Sequence, residues 1–363
     1  MVMVSSPPPP SKIVSYPIVG DANGGALFLY GDATKATRLA LMSPGFPDDQ
    51  EVLLPFADRL AKETNTLAGV ICLPGFDDRP NRSWTVNNKD GYDFDQITDA
   101  FRDAAKALRA ESTAARVSSN NSDIKPAVMV GIFHDWGVVP GMLWFNRAVA
   151  EAKEEGSEKE LAPEKVVLFD VLPPPSKTHD YDKKSALPIL SMARELFITI
   201  FYRGVFALSF LAQRYVANIL GCIVFVFGTS VMSLFRISPT LKIDADIMAQ
   251  RKPPMALSRI LYMCYPYVSF FGAAMGRINM EAYTLPVNLN KTPCLYMYGT
   301  EKRINFHDYN ALSILEKEER DQNSQSRAIA VEKAGHWLYV QQFDLCFRHV
   351  KNFLEGDVDT KEE

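Results

Sequence analysis

Seven short apolar runs, most of them separated by longer stretches of helical periodicity, constrain this chain more than any other feature. They are ALFLYG (26–31), RLALMSP (38–44), LAGVICLP (67–74), AVMVGIF (127–133), KVVLFDVL (165–172), PCLYMYG (293–299) and RAIAVEKA (327–334). Several are apolar at consecutive positions and do not alternate, the pattern of strands covered on both faces of a parallel sheet. Helical patterns fall at 51–63, 94–110, 137–153, 308–319 and 340–354. This βαβα rhythm predicts an α/β fold with a doubly wound, mostly parallel sheet.

The rhythm stops between Pro173 and Leu289, where LPPPSK marks the exit and LPVNLNKTP the return. The interval holds apolar helical patterns and no clear strand, so it predicts a helical insertion over the sheet. The chain then divides into a partly disordered lead-in (1–25), a core (26–172 and 290–355), a helical cap (173–289) and a solvated tail (356–363). Within the cap, residues 216–235 are uncharged, as long as a membrane span. Asn218, Gly221, Gly228, Thr229 and Ser230 dilute that window. A pair of cap helices lining a greasy pocket is the reading, with contact to a membrane surface through residues 195–235 as the competing one.

Composition narrows the function classes. A formal net charge of −4 supplies no basic field, so no nucleic-acid partner is expected. The five cysteines are scattered, without metal-binding or paired spacing, which suits a reducing, intracellular compartment, cytoplasmic or membrane-associated. His179, His307 and His349 lack ligand spacing to acids or cysteines, so neither a metal nor another cofactor is expected.

Chemistry concentrates at AVMVGIFHDWGVVPG, where an apolar strand gives way to a helix at Asp135. A side chain on such a turn is presented at the C-terminal edge of a sheet, beside a helix N-terminus. Asp135 suits a nucleophile, and it equally suits a helix N-cap. Gly137 provides the small residue that a tight turn needs two positions later, whereas Phe133 stands two positions earlier. No G-x-S-x-G occurs, which disfavours a serine esterase. A carboxylate is ionised at neutral pH without help from a base, which fits attack on an alkyl carbon.

HDWG after an apolar strand resembles the nucleophile elbow of epoxide hydrolases of the α/β-hydrolase fold, relatives of haloalkane dehalogenases. LMSPGFPDD (41–49) resembles the family's HGFP oxyanion loop, with Pro44 in place of histidine. PCLYMYGTEKR (293–303) resembles the late strand that often ends in the catalytic acid. EKAGHWLYVQQFD (332–344) resembles the loop carrying the family's histidine. The resemblance implies an α/β-hydrolase fold with a cap and a hydrophobic small-molecule substrate, most simply an epoxide. It makes Asp135 the nucleophile, His336 the base, and Phe46 and Trp136 the backbone donors to the oxyanion. The acid position on the late strand falls on Arg303, so Asp170 is the preferred acid, with Glu301 and Asp308 as alternatives. Two cap tyrosines should protonate the leaving oxygen, and Tyr265 and Tyr267 are favoured among Tyr202, Tyr215, Tyr262 and Tyr283. The alternatives are a haloalkane dehalogenase or other hydrolase on the same fold, and a non-catalytic hydrolase-like protein that binds lipids or partners.

Overall fold

The consecutive-apolar runs form central strands because both of their faces meet helices. The computed structural model describes residues 9–76, 90–119, 127–153, 161–179, 189–234, 256–302, 306–320 and 324–356. The strands are β1 (Lys12–Ile18), β2 (Asp21–Tyr30), β3 (Arg38–Ser43), β4 (Thr66–Val70), β5 (Val128–His134), β6 (Pro163–Phe169), β7 (Val171–Leu172), β8 (Cys294–Gly299), β9 (Phe306–His307) and β10 (Arg327–Val331). Eight of them make one sheet in the order β1-β2-β4-β3-β5-β6-β8-β10, while β7 and β9 pair separately. Only β1 and β2 run against their neighbours; β4-β3-β5-β6-β8-β10 are parallel. In such a sheet every parallel strand ends at the same edge, which is where ligands meet α/β proteins.

The helices are α1 (Leu54–Glu63), α2 (Phe94–Ser118), α3 (Val138–Glu151), α4 (Ile189–Tyr215), α5 (Asn218–Leu234), α6 (Leu257–Tyr262), α7 (Tyr265–Ala274), α8 (Tyr309–Arg320), α9 (Leu338–Gln341) and α10 (Phe343–Glu355). One face of the sheet packs on α2, α3 and α8, and the same apolar cluster continues into α4 and α7. The other face packs on α1 and α10. Leu39, Leu41, Ile132, Val166 and Leu168 are fully buried between these layers, each contributing about 1.5–3 kcal/mol by leaving water. Local signals agree with this arrangement. Asp93 and Gln96 close a reciprocal capping box on α2, and Gly356, at φ 84°, ends α10 in the left-handed conformation.

The lead-in differs from expectation over residues 12–25. β1 is an edge strand whose burial alternates from Ile13 on, with Val14, Tyr16 and Ile18 inward and Ile13, Ser15 and Pro17 outward. A strand covered on one face lacks the continuous apolar signature of its neighbours, and proline is tolerated at an edge. Residues 1–8 of the lead-in, and the tail beyond 356, lie outside the described residues.

Between β7 and β8 the regular elements among the described residues are the helices α4 to α7. The α4–α5 pair is closely packed: a methyl group on Gly228 would lie 2.3 Å from Val205, and one on Gly221 would lie 2.8 Å from the Ser209 carbonyl. Its outer surface exposes Ile200, Leu208, Ile219, Ile223 and Phe227. Among the described residues no helix is long and apolar enough to cross a membrane.

Candidate active site

Asp135 follows β5, the strand at the centre of the sheet, and its backbone sits at φ 49°. A non-glycine residue in the left-handed region is uncommon, and such strain gathers at functional sites. The turn leaves no room for side chains around it. A methyl group on Gly137 would lie 2.5 Å from the Pro44 carbonyl oxygen, and one on Gly45 would lie 2.3 Å from the Trp136 nitrogen. The bulk of Phe133, unexpected beside a tight elbow, is absorbed beneath it. Its ring covers the faces of Gly131 and Gly141 and packs on Phe101 and Trp144 at centroid distances of 5.8 and 6.3 Å.

Asp135 does not cap the helix that follows. Gly137 occupies the N-cap position of α3, without a side-chain cap. Instead the Asp135 Oδ2 accepts a hydrogen bond from the Phe46 backbone N–H at 2.8 Å. The loop carrying Phe46 leaves β3, the neighbour of β5, so strand order alone brings it to the elbow. Burial raises the Asp135 pKa, while His336 and the backbone N–H groups of Trp136 and Phe46 oppose the rise. Both expected oxyanion donors therefore engage the Asp135 carboxylate.

His336 arrives on the loop after β10 and Asp170 at the end of β6. Asp170 also stands in the left-handed region, at φ 73°. The His336 Nδ1–H donates to the Asp170 Oδ2 at 2.7 Å. A ring nitrogen of His336 and carboxylate oxygens of Asp135 and Asp170 lie within 4.8 Å of one another. Three side chains far apart in sequence thus share one edge of the sheet. Burial would lower the His336 pKa, but the Asp170 charge and hydrogen bond, with Asp135, carry it up to about 9.

Lys302, at the end of β8, was not anticipated. Its ammonium lies 2.5 Å from the Asp170 Oδ1, and both side chains are essentially without solvent exposure. Burial opposes ionisation of Asp170, yet Lys302 and His336 hold its pKa well below the usual carboxylate range. Both Asp170 oxygens are committed, one to the Lys302 ammonium and one to the His336 ring. The late strand that was expected to end near an acid is followed by a lysine that binds the acid after β6. Glu301 is exposed, and the Asp308 carboxylate accepts from the Asn310 and Ala311 backbone N–H groups at the start of α8. Neither reaches His336. Arg303 lies outside the described residues.

Behind the elbow, the wholly buried His134 acts as a strut. Its Nε2 contacts the His336 carbonyl oxygen at 3.1 Å, and its Nδ1 meets the Tyr339 hydroxyl at 3.2 Å. Burial, reinforced by nearby His336, lowers its pKa to about 3. A neutral ring that donates to the carbonyl and accepts from tyrosine satisfies both contacts. Buried Asp48 accepts from the Trp337 indole at 2.8 Å, tying the oxyanion loop to the histidine loop.

The two favoured tyrosines part company. The Tyr265 hydroxyl donates to the Pro74 carbonyl at 3.0 Å and packs away from the site. The Tyr267 hydroxyl lies 3.0 Å from that of Tyr202, and its ring packs edge-on to Trp136 at 4.8 Å. Burial raises the pKa of Tyr267, Tyr202 and Tyr283, and the Asp135 charge adds to each shift. Arg203 of α4 shares this roof, its guanidinium 3.9 Å from the centre of the Phe270 ring and 6.0 Å from that of Trp136. Tyr215 bonds to Asp90 at the exposed surface.

No family model matches the chain, and no curated protein matches it in sequence. Solved structures do. A Bacillus megaterium epoxide hydrolase bound to an inhibitor is 14% identical, covering 95% of this chain and 100% of its own, with a TM-score of 0.49. An epoxide hydrolase from Vigna radiata is 13% identical, covering 95% and 98%, also at 0.49. A structure of the protein aCif is 14% identical, covering 96% and 90%, at 0.51. With the sheet order above, the likeness establishes the α/β-hydrolase fold.

Proposed function

On this α/β-hydrolase fold, we propose that the chain is a hydrolase of the epoxide-hydrolase type. The observation that carries the reading is the convergence of Asp135, His336 and Asp170, with Asp135 on a strained elbow and one of its oxygens already held by the Phe46 N–H.

The Asp135 Oδ2 lies in the oxyanion pocket, which leaves Oδ1 to attack an epoxide carbon. The C–O bond of the ring breaks as the ester bond forms. A proton from the Tyr202–Tyr267 pair goes to the leaving oxygen. Both hydroxyls are kept in the protonated, donating form by burial and by Asp135 itself. Water then attacks the ester carbonyl. His336 takes a proton from that water, and the N–H groups of Phe46 and Trp136 hold the tetrahedral oxyanion; as it collapses the ester C–O bond breaks, the departing diol oxygen takes the proton from His336, and Asp135 returns to a carboxylate. Loss of one such donor costs about 3–4 kcal/mol of transition-state stabilisation.

The charge sequence suits the two steps. Before attack, Asp135 helps to keep His336 protonated. Esterification removes that charge and lowers the His336 pKa, so the ring can give up its proton to the tyrosinate left by ring opening and stand neutral, ready to accept a proton from water. Asp170 fixes the ring tautomer, and Lys302 keeps Asp170 ionised. The tyrosine pair favours an epoxide over a haloalkane, because a halide leaves without a proton and Phe46 offers no side-chain N–H to hold it. The exposed apolar residues of α4 and α5 support contact of the 195–235 segment with a membrane surface.

A single turnover of an aryl epoxide in oxygen-18-labelled water tests the route. The oxygen added to the first diol should come from Asp135, and the label should remain in the protein carboxylate. Label in the first-turnover diol would mean direct attack by water.

A further inference from the structure

Deepening the proposed hydrolase reading, and resting on it for the chemical step, we infer that the roof selects a substrate carrying a carboxylate close to the reacting carbon, and that Arg203 binds that carboxylate.

Arg203 is partly buried, and among the described residues no carboxylate lies within ion-pair distance of its guanidinium. Its neighbours are aromatic: Phe270 beneath it at 3.9 Å, with Trp136 and Phe306 at 6.0 and 5.9 Å. Stacking on a ring holds the planar fork still while leaving its N–H edge for an anion. Burial lowers the Arg203 pKa, and no protein anion sits close enough to offset that burial fully. A partly desolvated cation without an anionic partner carries a cost, and a bound carboxylate offsets it.

The location says which part of the substrate this is. Trp136 follows the nucleophile directly, and its indole touches both Tyr267 and the aromatic wall on which Arg203 lies. An anion held by Arg203 is therefore a few bonds from the attacked carbon, whereas a carboxylate at the far end of a long chain would be out of reach. Arg203 is a specificity residue in this account and takes no part in bond making.

The test uses binding, so that it does not depend on turnover. The full chain is titrated with 3-phenylpropionate and with its neutral amide, following tryptophan fluorescence and calorimetric heat. The carboxylate should bind about 10- to 100-fold more tightly than the amide, the range expected of hydrogen bonds to a charged group. In Arg203→Leu the two should bind alike, at the affinity the wild type shows for the amide. Arg203→Lys keeps the charge but loses the fork, and should retain a reduced preference. This variant keeps the test decisive if the leucine variant does not fold. Equal binding of acid and amide by the wild type, no binding of either, or a preference that survives Arg203→Leu would overturn the inference. Ester formation on Asp135 with a neutral epoxide is a separate readout. Its absence alongside intact acid selectivity refutes the chemistry and leaves the anion site standing, and the reverse outcome refutes only the anion site.

Discussion

Replacing Lys302 with methionine removes one member of a buried ion pair and leaves the apolar stem roughly in place. The ammonium lies 2.5 Å from the Asp170 Oδ1, with side-chain exposures of 1% and 0%. Breaking such a pair by deleting one partner costs about 3–5 kcal/mol, because the remaining charge stays buried without compensation. In a chain of this size each kcal/mol moves the melting temperature by about 2 °C, so Lys302→Met should melt about 6–10 °C lower. Asp170→Asn should also destabilise, since it strands Lys302. The double variant Lys302→Met/Asp170→Asn restores neutrality and should lose less than the sum of the singles by about 1–3 kcal/mol. The pH dependence has a definite sign. A carboxylate whose folded pKa is depressed contributes stability above its unfolded value of about 3.9, and loses it as pH falls through the folded value. Lys302 supplies part of that depression, so acid unfolding of Lys302→Met should set in at higher pH than in the wild type. Thermal and acid unfolding followed by circular dichroism measure both effects. A single variant that melts within about 1 °C of wild type, or a double variant that loses the full sum, would refute the electrostatic role given to this pair.

Three further outcomes are expected. In Asp135→Asn, His336 loses one of the charges that raise its pKa to about 9, so its imidazole signal in an NMR titration should titrate lower than in wild type. A raised histidine pKa stabilises the fold below about 6.5 and loses that contribution as pH climbs towards 9, so the variant's loss of stability relative to wild type should be largest below the unfolded pKa. Phe133→Ala should cost about 3–5 kcal/mol in denaturant unfolding, because the ring fills the space over Gly131 and Gly141 and its removal leaves a cavity; a neutral or stabilising outcome would show that the bulky elbow is strained. Tyr267→Phe should lower kcat about 100-fold or more through loss of the acid, whereas Tyr265→Phe, whose hydroxyl donates to the Pro74 carbonyl and is not part of the Tyr202–Tyr267 pair, should stay near wild type. Equal effects would remove the distinction between them.

Most of the architecture was legible because it rests on short-range patterning. Runs such as 38–44 and 127–133 are apolar at consecutive positions, since helices cover both faces of β3 and β5, and burial of that kind is written directly into composition. β1 escaped because one face is solvated and the strand lies at the edge. α2 was read too short: it continues to Ser118, past Ser112 and Thr113, and is pinned there by Arg116, which donates to the Ala36 carbonyl. The elbow and the histidine loop were legible as motifs. The contacts that depend on folding were not. Lys302 and Asp170 are separated by 132 residues and meet only because β6 and β8 are neighbours. Tyr265 and Tyr267, two positions apart on α7, point in different directions, and no local pattern says which one faces Asp135. Arg203 lies in an apolar helix, and no local pattern says that its guanidinium stacks on Phe270.

The central claim is that Asp135 becomes esterified. Intact-mass analysis and peptide mapping of His336→Ala after exposure to an aryl epoxide test it most directly. The account predicts one added substrate mass, located on the peptide containing Asp135, released by hydroxylamine and absent from the His336→Ala/Asp135→Asn double variant. An unmodified protein, while the wild type turns the same epoxide over, would contradict it.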